Sequence, residues 1–193
     1  MPLILGSQSP RRREILGYFT LPFVAASPEF DEESIVFDGD PQKFAIQIAR
    51  GKALALAPLF PNDPILTADT VVYREGKVYG KPRDDADALR MLQELAGHWH
   101  SVFTALTLKT QTEEHTICQE TRVQFQAANK HQLQQYHKQI HCLDKAGSYA
   151  IQTAGGLITQ RIDGCFYNVM GLPLAGLSQI LNKIDIDLWD YLK

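Results

Sequence analysis

The chain has 193 residues, of which 45% are hydrophobic and 21% charged, and its net charge is −3. This length can bury a proper core and suits one domain, with or without two lobes. A slightly acidic chain argues against a general nucleic-acid-binding protein, which is usually basic, but leaves room for a local basic pocket that takes a small polyanion. The sequence has no apolar run long enough to span a membrane and no secretory pattern at its start. Its cysteines, Cys118, Cys142 and Cys165, are odd in number and lack metal-like spacing, so we expect free thiols in a reducing cytoplasm.

The N-terminal segment 3–16 predicts a short buried strand, a tight loop and the start of a helix. Ser9 suits the N-cap, where its hydroxyl would accept a backbone N–H bond, and Pro10 suits the first helical position. Cations at a helix N-terminus are unfavourable by about 0.3–1 kcal/mol each, yet Arg11–Arg13 follow directly. An anion bound at this turn removes the conflict, so the sequence predicts a phosphate site. A solvated basic helix face is the alternative for at least one of the three arginines.

A second short strand is expected over residues 22–26, followed by the acidic segment 27–33. Acidic clusters after a strand are usually solvated. If the first two strands are neighbours, Asp31 and Glu32 are well placed to hold a cation near the phosphate turn.

Residues 41–57 predict a helix with one apolar face. Lys52 lies near the middle of that face, one turn from Ile48 and from Leu56. An unpaired buried ammonium is costly, so this lysine needs an explanation. Either its stem lies on apolar surface while its head reaches water, or the side chain points into an internal anion pocket. The helix pattern leaves both interpretations open.

Residues 64–73 predict a buried central strand, because they are nearly all apolar or β-branched. Asp69 lies inside this strand, where aspartate is disfavoured, so it must be paired, bound to a metal or placed at an irregularity. We favour a site role over a purely structural hydrogen bond. A hairpin turn at Gly76 follows, and then Lys81, which Pro82 holds extended. Lys81 is either presented to a ligand or simply solvated.

The rest of the chain predicts alternating helices and strands. We expect a helix over residues 84–95 with Asp84 as its N-cap, a helix that begins at Asn129 or Lys130 and ends near residue 138, and a helix that Gly171-Leu172-Pro173 opens and that ends near residue 182. Strands are expected over residues 99–108, 116–126, 157–162 and 166–170. His131, His137 and His141 are not spaced like a zinc site.

Eight short motifs occur in a fixed order over nearly the whole chain. They are Ser7-Gln8-Ser9-Pro10-Arg11-Arg12, Asp31-Glu32, Ala49-Arg50-Gly51-Lys52-Ala53, Ala68-Asp69-Thr70, Gly80-Lys81-Pro82, Asp144-Lys145-Ala146-Gly147, Ile151-Gln152 and Gly171-Leu172-Pro173-Leu174. Each is weak alone, but the ordered set resembles the Maf family of nucleoside triphosphate pyrophosphatases. The resemblance implies a single domain over residues 1–193 with a mixed α/β fold. That fold has a long, twisted central sheet flanked by helices and two lobes with a cleft, similar to the inosine triphosphate pyrophosphatases.

The resemblance also implies a reaction and a set of site residues. The family hydrolyses a nucleotide between its α- and β-phosphates with a divalent cation, Mg²⁺ or Mn²⁺. Asp69 matches the general-base position and also a metal-ligand position, and Glu32, with Asp31, matches the acidic metal-site region. The residues that would contact the phosphates are Ser7, Ser9, Arg11, Arg12, Lys52 and Lys81.

Within the family, the dTTP/UTP-hydrolysing subgroup is the one that this sequence resembles most, through Arg11, Thr70 and Gln152. A glutamine amide can both donate to and accept from the imide edge of uracil or thymine. Gly51 is a departure, since relatives often have a larger polar residue there. Two alternatives stay open: a house-cleaning pyrophosphatase for 7-methyl-GTP or other modified nucleotides, and a nucleotide-binding regulator of cell division and septum formation.

The expected partner is a small nucleotide substrate, with no nucleic acid and no membrane. The sequence leaves the oligomeric state open, a homodimer included, and the expected location is the cytoplasm.

Overall fold

The computed structural model describes residues 1–140 and 142–193, so His141 lies outside the described residues. The helices and strands of the described chain follow one another in the order β1 (Leu3–Gly6), α1 (Pro10–Leu16), β2 (Phe23–Ala26), α2 (Pro41–Leu56), β3 (Ile65–Arg74), β4 (Lys77–Tyr79), α3 (Asp85–Leu95), β5 (Trp99–Lys109), β6 (Glu114–Phe125), α4 (Lys130–Ile140), β7 (Thr159–Asp163), α5 (Phe166–Met170) and α6 (Leu174–Leu181).

The strands form a mixed sheet. Its order is β2-β1-β3-β5-β6-β7, and β4 pairs with β3 beside this path. β1 is parallel to both β2 and β3, whereas the pairs β3–β4 and β6–β7 are antiparallel. This confirms the mixed α/β fold with a central sheet and flanking helices. The prediction that Asp31 and Glu32 lie near the phosphate turn required the first two strands to be neighbours, and β1 and β2 are paired.

The chain divides into two compact units. The first contains residues 1–69, 104–119 and 171–193, and the second contains residues 70–103 and 120–170.

The core of the first unit forms around β1. Leu3, Ile4 and Leu5 are at most 2% exposed, and Ile4 packs with Leu56 of α2 and Ile65 of β3. α2 buries the face that its apolar spacing predicts, and Lys52 is buried on that same face. The helix therefore carries Lys52 toward the interior of the unit.

The second unit contains the β3–β4 hairpin and the helices α3 and α4. Glu75 and Gly76 both have positive φ, as the expected tight hairpin turn requires. Asp84 caps α3 by accepting the backbone N–H of Asp87, and the apolar side of this helix is buried. Both features confirm the sequence predictions for this region.

The strand expected at residues 166–170 is wrong, because this segment is the helix α5. A short apolar run does not distinguish a strand from a buried helix turn by periodicity alone. Long-range hydrogen bonds that the local sequence does not reveal support the helical turn: Asn168, fully buried, donates to the carbonyl of Val102 and to the hydroxyl of Thr121. In the part of the chain that the structure describes, no helix is long and apolar enough to cross a membrane.

Candidate active site

The turn between β1 and α1 is organised by Ser7. Pro10 occupies the first turn of α1, as predicted, and Ser9 is the N-cap residue. The prediction that the Ser9 hydroxyl caps the helix is wrong, since its side chain makes no capping hydrogen bond. Instead, the buried hydroxyl of Ser7 accepts a bond from the Ser9 backbone N–H at 3.2 Å and one from Nη1 of Arg12 at 3.1 Å.

Arg12 is the arginine that turns inward. Its Nε donates to the carbonyl of Gly171 at 2.7 Å, which fixes the guanidinium plane. Burial lowers the pKa of the Arg12 guanidinium from its ordinary value, while the nearby Asp69 carboxylate opposes that shift. Arg11 is half-buried and Arg13 is exposed. The solvated basic face therefore accounts for Arg13, and Arg12 belongs to the charged cluster.

Lys52 ends between two carboxylates. Only 8% of the residue is exposed, and its Nζ lies 2.8 Å from Oδ1 of Asp69 and 2.9 Å from Oε1 of Glu32. The ammonium thus stays inside the first unit, so the snorkelling interpretation is wrong. The lysine points into an internal site in which its partners are acidic groups of the chain itself.

Asp69 is held within β3 and against α2. Its side chain is 11% exposed, and Lys52 engages Oδ1. Two residues earlier, the hydroxyl of Thr67 donates to the carbonyl of Ala49 in α2, which ties this strand to the helix. Oδ2 of Asp69 makes no hydrogen bond within the described part of the chain. An ion pair is therefore what stabilises this aspartate in a strand.

Glu32 reaches Lys52 from a short turn. The residues Glu32–Ser34 form one turn of 3-10 helix, and the Asp31 carboxylate caps it by accepting the Glu33 N–H at 3.0 Å. The Glu32 side chain is 43% exposed, so it connects the buried pair to solvent.

Phe30 packs on α2 directly beside Lys52. A Cβ atom built on Gly51 would lie 2.2 Å from Cζ of the Phe30 ring, far inside van der Waals contact. The glycine that departs from the family pattern therefore makes room for this ring. This contact holds the segment that precedes Glu32 against α2, next to Lys52, with which Glu32 forms an ion pair.

The acidic groups of the cluster fit a hard divalent cation in part. Glu32 and Asp69 offer the carboxylate oxygens that Mg²⁺ and Mn²⁺ prefer, whereas the Asp31 carboxylate caps its own turn. Among the described residues, no group of three or more His, Cys, Asp or Glu side chains comes together as a complete metal site. Mg²⁺ commonly binds through one or two carboxylates, with waters and substrate phosphates completing its shell, and two carboxylates match that pattern.

The structure brings Ser7, Arg12, Glu32, Lys52 and Asp69 together in the first unit. Three other predicted residues belong to the second unit. Thr70 follows Asp69 in β3 and is half-buried, and Lys81 is exposed in the segment after β4. Gln152 is half-buried, and its amide oxygen Oε1 is buried without a hydrogen-bond partner among the described residues. An orphaned buried acceptor of this kind is suited to a donor group on a ligand.

Sequence reasoning missed the carbonyl of Gly171, which anchors Arg12. The two residues are separated by 159 positions, so no local pattern connects them. The motif that begins at Gly171 marks this segment in the sequence, but it does not indicate that the carbonyl of Gly171 binds Arg12.

The fold and the charged cluster define an α/β protein in which the cations of Arg12 and Lys52 lie close to the carboxylates of Glu32 and Asp69. The family model described as Maf-like protein matches residues 2–184. The chain belongs to the Maf family, which confirms the resemblance that its motifs indicated.

Related proteins match this chain over nearly its whole length. The dTTP/UTP pyrophosphatase of Chlamydia felis is 44% identical over 98% of this chain and 97% of that protein. The dTTP/UTP pyrophosphatase of Clostridium perfringens is 40% identical over 97% of this chain and all of that protein. Among solved structures, the Ham1 protein of Staphylococcus aureus gives a TM-score of 0.45 at 12% identity, over 65% of this chain and 72% of that chain.

Proposed function

We propose that this chain is a nucleoside triphosphate pyrophosphatase that hydrolyses dTTP and UTP, together with modified pyrimidine nucleotides, to the monophosphate and pyrophosphate. The names of relatives that are 40–44% identical over nearly the full length support this substrate choice. The observation that carries the proposal is the buried Lys52, paired with Asp69 and Glu32 beside Arg12. Such a cluster supplies both the cations and the carboxylates that hydrolysis of a triphosphate requires.

In this proposal, basic and hydroxyl groups neutralise and orient the phosphates. Arg12 is held rigidly by Gly171 and by Ser7, so its planar guanidinium is ready to bind phosphate oxygens. Ser9 at the helix N-terminus and the half-buried Arg11 extend the same anion site. Lys52 and Lys81 supply the remaining positive charge that neutralises the phosphates in this proposal. Positioning and charge neutralisation supply most of the catalysis in phosphoryl transfer.

Asp69 is the proposed general base. Lys52 fixes Oδ1 of this carboxylate, which leaves Oδ2 to take a proton from a water molecule. The water oxygen bonds to phosphorus while the bond to the oxygen that bridges the α- and β-phosphates breaks. The leaving oxygen departs with its electron pair.

Glu32 and Asp69, with Asp31 adjacent, are the proposed ligands of Mg²⁺ or Mn²⁺. When bound, such a cation neutralises the charge on the phosphate oxygens. The Glu32 side chain lies at the exposed edge of the cluster. A cation that arrives together with the nucleotide could therefore reach these carboxylate oxygens from solvent.

Gln152 is the proposed reader of the base, with Thr70 and Arg11. The imide N–H of uracil or thymine is a donor, and the buried Oε1 of Gln152 is an acceptor that lacks a partner among the described residues. A base with this edge would satisfy the amide. Leaving such a buried acceptor unpaired costs about 1–3 kcal/mol, so selection for the imide edge follows.

A cytoplasmic location is part of the proposal. Among the described residues, Cys118, Cys142 and Cys165 form no disulfide, which suits a reducing compartment.

A nucleotide panel tests the proposal. We expect pyrophosphate release from dTTP and UTP with Mg²⁺ or Mn²⁺, and its loss when EDTA removes the metal. Glu32→Gln should raise the metal concentration needed for half-maximal rate, whereas Glu33→Gln, on the exposed side of the same turn, should not. Activity on 7-methyl-GTP alone would keep the reaction and overturn the base assignment. Nucleotide binding without any hydrolysis would contradict the enzyme and favour the regulatory alternative.

A further inference from the structure

A buried tyrosine holds the loop that carries Gln152. Tyr136 lies on α4 and is 6% exposed. Its hydroxyl donates to the carbonyl of Ala150 at 3.0 Å and accepts the N–H of the same residue at 3.1 Å. One side-chain hydroxyl thus satisfies both polar backbone groups of a buried residue, two positions before Gln152.

The loop is closed tightly beyond that point. The N–H of Gly155 donates to the carbonyl of Gln152 at 3.0 Å, and a Cβ atom at position 155 would lie 1.9 Å from the carbonyl oxygen of Ala150. Thr153 has a φ of 56°, in the left-handed region that β-branched residues rarely adopt. Because the backbone from residue 150 to residue 155 packs on itself, the placement of Ala150 sets the placement of Gln152.

The neighbouring tyrosine uses its hydroxyl differently. Tyr149 is buried, and its hydroxyl lies 3.0 Å from Nε2 of His100 in an aromatic cluster with Phe125. Burial raises the pKa values of both Tyr136 and Tyr149, so both hydroxyls keep their protons at neutral pH. Among the hydrogen bonds of the described residues, the Tyr136 hydroxyl contacts the backbone of Ala150 and the Tyr149 hydroxyl does not.

We propose that Tyr136 is a positioning residue for base selection: by clamping the backbone of Ala150, it fixes the Gln152 amide so that Oε1 meets the imide N–H of a uracil or thymine base. This inference rests on the proposed function and names the part of the chain that sets its selectivity. A glutamine amide has a donor at one end and an acceptor at the other, so a displaced amide can also match the edge of cytosine. Discrimination between UTP and CTP therefore depends on how firmly the loop is held.

The test compares kcat/KM for UTP and for CTP in wild type, Tyr136→Phe, Tyr149→Phe and Gln152→Ala. Tyr136→Phe keeps the ring and removes the clamp. We expect it to lower the UTP-to-CTP ratio by about tenfold, the equivalent of one hydrogen bond. Tyr149→Phe removes a similarly buried hydroxyl and should leave the ratio within about twofold, below what one hydrogen bond contributes. Gln152→Ala should abolish most of the selectivity.

Amide hydrogen exchange gives a second, activity-independent readout. The Ala150 amide should exchange faster in Tyr136→Phe than in Tyr149→Phe. If Gln152→Ala lowers the ratio while Tyr136→Phe does not, the positioning role is wrong and the base assignment stands. If Gln152→Ala leaves the ratio unchanged, the base assignment fails and the inference fails with it. The pyrophosphatase reaction is judged separately, by the nature of the products.

Discussion

The Lys52–Asp69 ion pair should couple strongly in the free energy of unfolding. The two side chains are 10% and 11% exposed, and their charged atoms are 2.8 Å apart. Removing one partner of a buried pair leaves an uncompensated charge and costs about 3–5 kcal/mol. Here Glu32 also contacts Lys52, and Arg12 lies near Asp69, so each survivor keeps some compensation. We therefore expect Lys52→Met to cost about 2–3 kcal/mol, somewhat below the range for an isolated pair.

A double-mutant cycle isolates the pair itself. Urea unfolding of wild type, Lys52→Met, Asp69→Asn and the double variant should give a coupling energy of about 1–3 kcal/mol. The matched control is Lys43–Asp38, an exposed ion pair whose side chains are 54% and 46% accessible. For Lys43→Met and Asp38→Asn we expect additive effects, because solvent screens an exposed pair. Additive effects at Lys52 and Asp69 as well would refute the interpretation of a buried, coupled cluster.

Three further predictions concern other parts of the chain. The free energy of unfolding should fall as the pH drops below about 6.5, by up to about 1.4 kcal/mol per pH unit, because burial lowers the pKa of His100 to about 3 and the unfolded chain alone binds that proton. His100→Gln should flatten this dependence between pH 6.5 and 5 in urea titrations, and an unchanged slope would contradict it. Gly51→Ala, which in a free helix would stabilise by about 1 kcal/mol, should instead lower the midpoint of thermal unfolding, since its Cβ collides with Phe30. Adding Phe30→Ala should remove this collision and raise the midpoint again. A Gly51→Ala variant with a higher midpoint than wild type would contradict this packing. Ser7→Ala should cost about 1 kcal/mol because its hydroxyl accepts two bonds, whereas Ser9→Ala should be nearly neutral; equal losses in urea unfolding would show that the Ser9 hydroxyl does cap the helix.

Most of the fold follows from local patterns in the sequence. The apolar face of α2, the continuous apolar run of β3 and the Asp84 cap of α3 each have a strong local signal, and each element appears where it is expected. The helix α5 does not, because hydrogen bonds of Asn168 to residues far away in sequence accompany its conformation. A five-residue segment is too short to report that context.

The candidate site was predictable at the level of residues, less so at the level of contacts. A lysine on an apolar face and an aspartate inside a strand each violate a local rule, and the structure pairs them with one another. The anchoring of Arg12 by Gly171 and the clamp of Tyr136 on Ala150 leave no such trace, because ordinary backbone groups serve as the partners. Their positions depend on tertiary structure alone.

The measurement that tests the central claim most directly is ³¹P NMR of UTP hydrolysis by wild type and Asp69→Asn with Mg²⁺ or Mn²⁺. The account predicts UMP and pyrophosphate as the products. It also predicts that the variant, folded by circular dichroism, loses activity by about a hundredfold or more, as expected when a general base is removed. UDP and inorganic phosphate as products, or full activity in the variant, would contradict the assignment of this cluster as a pyrophosphatase site.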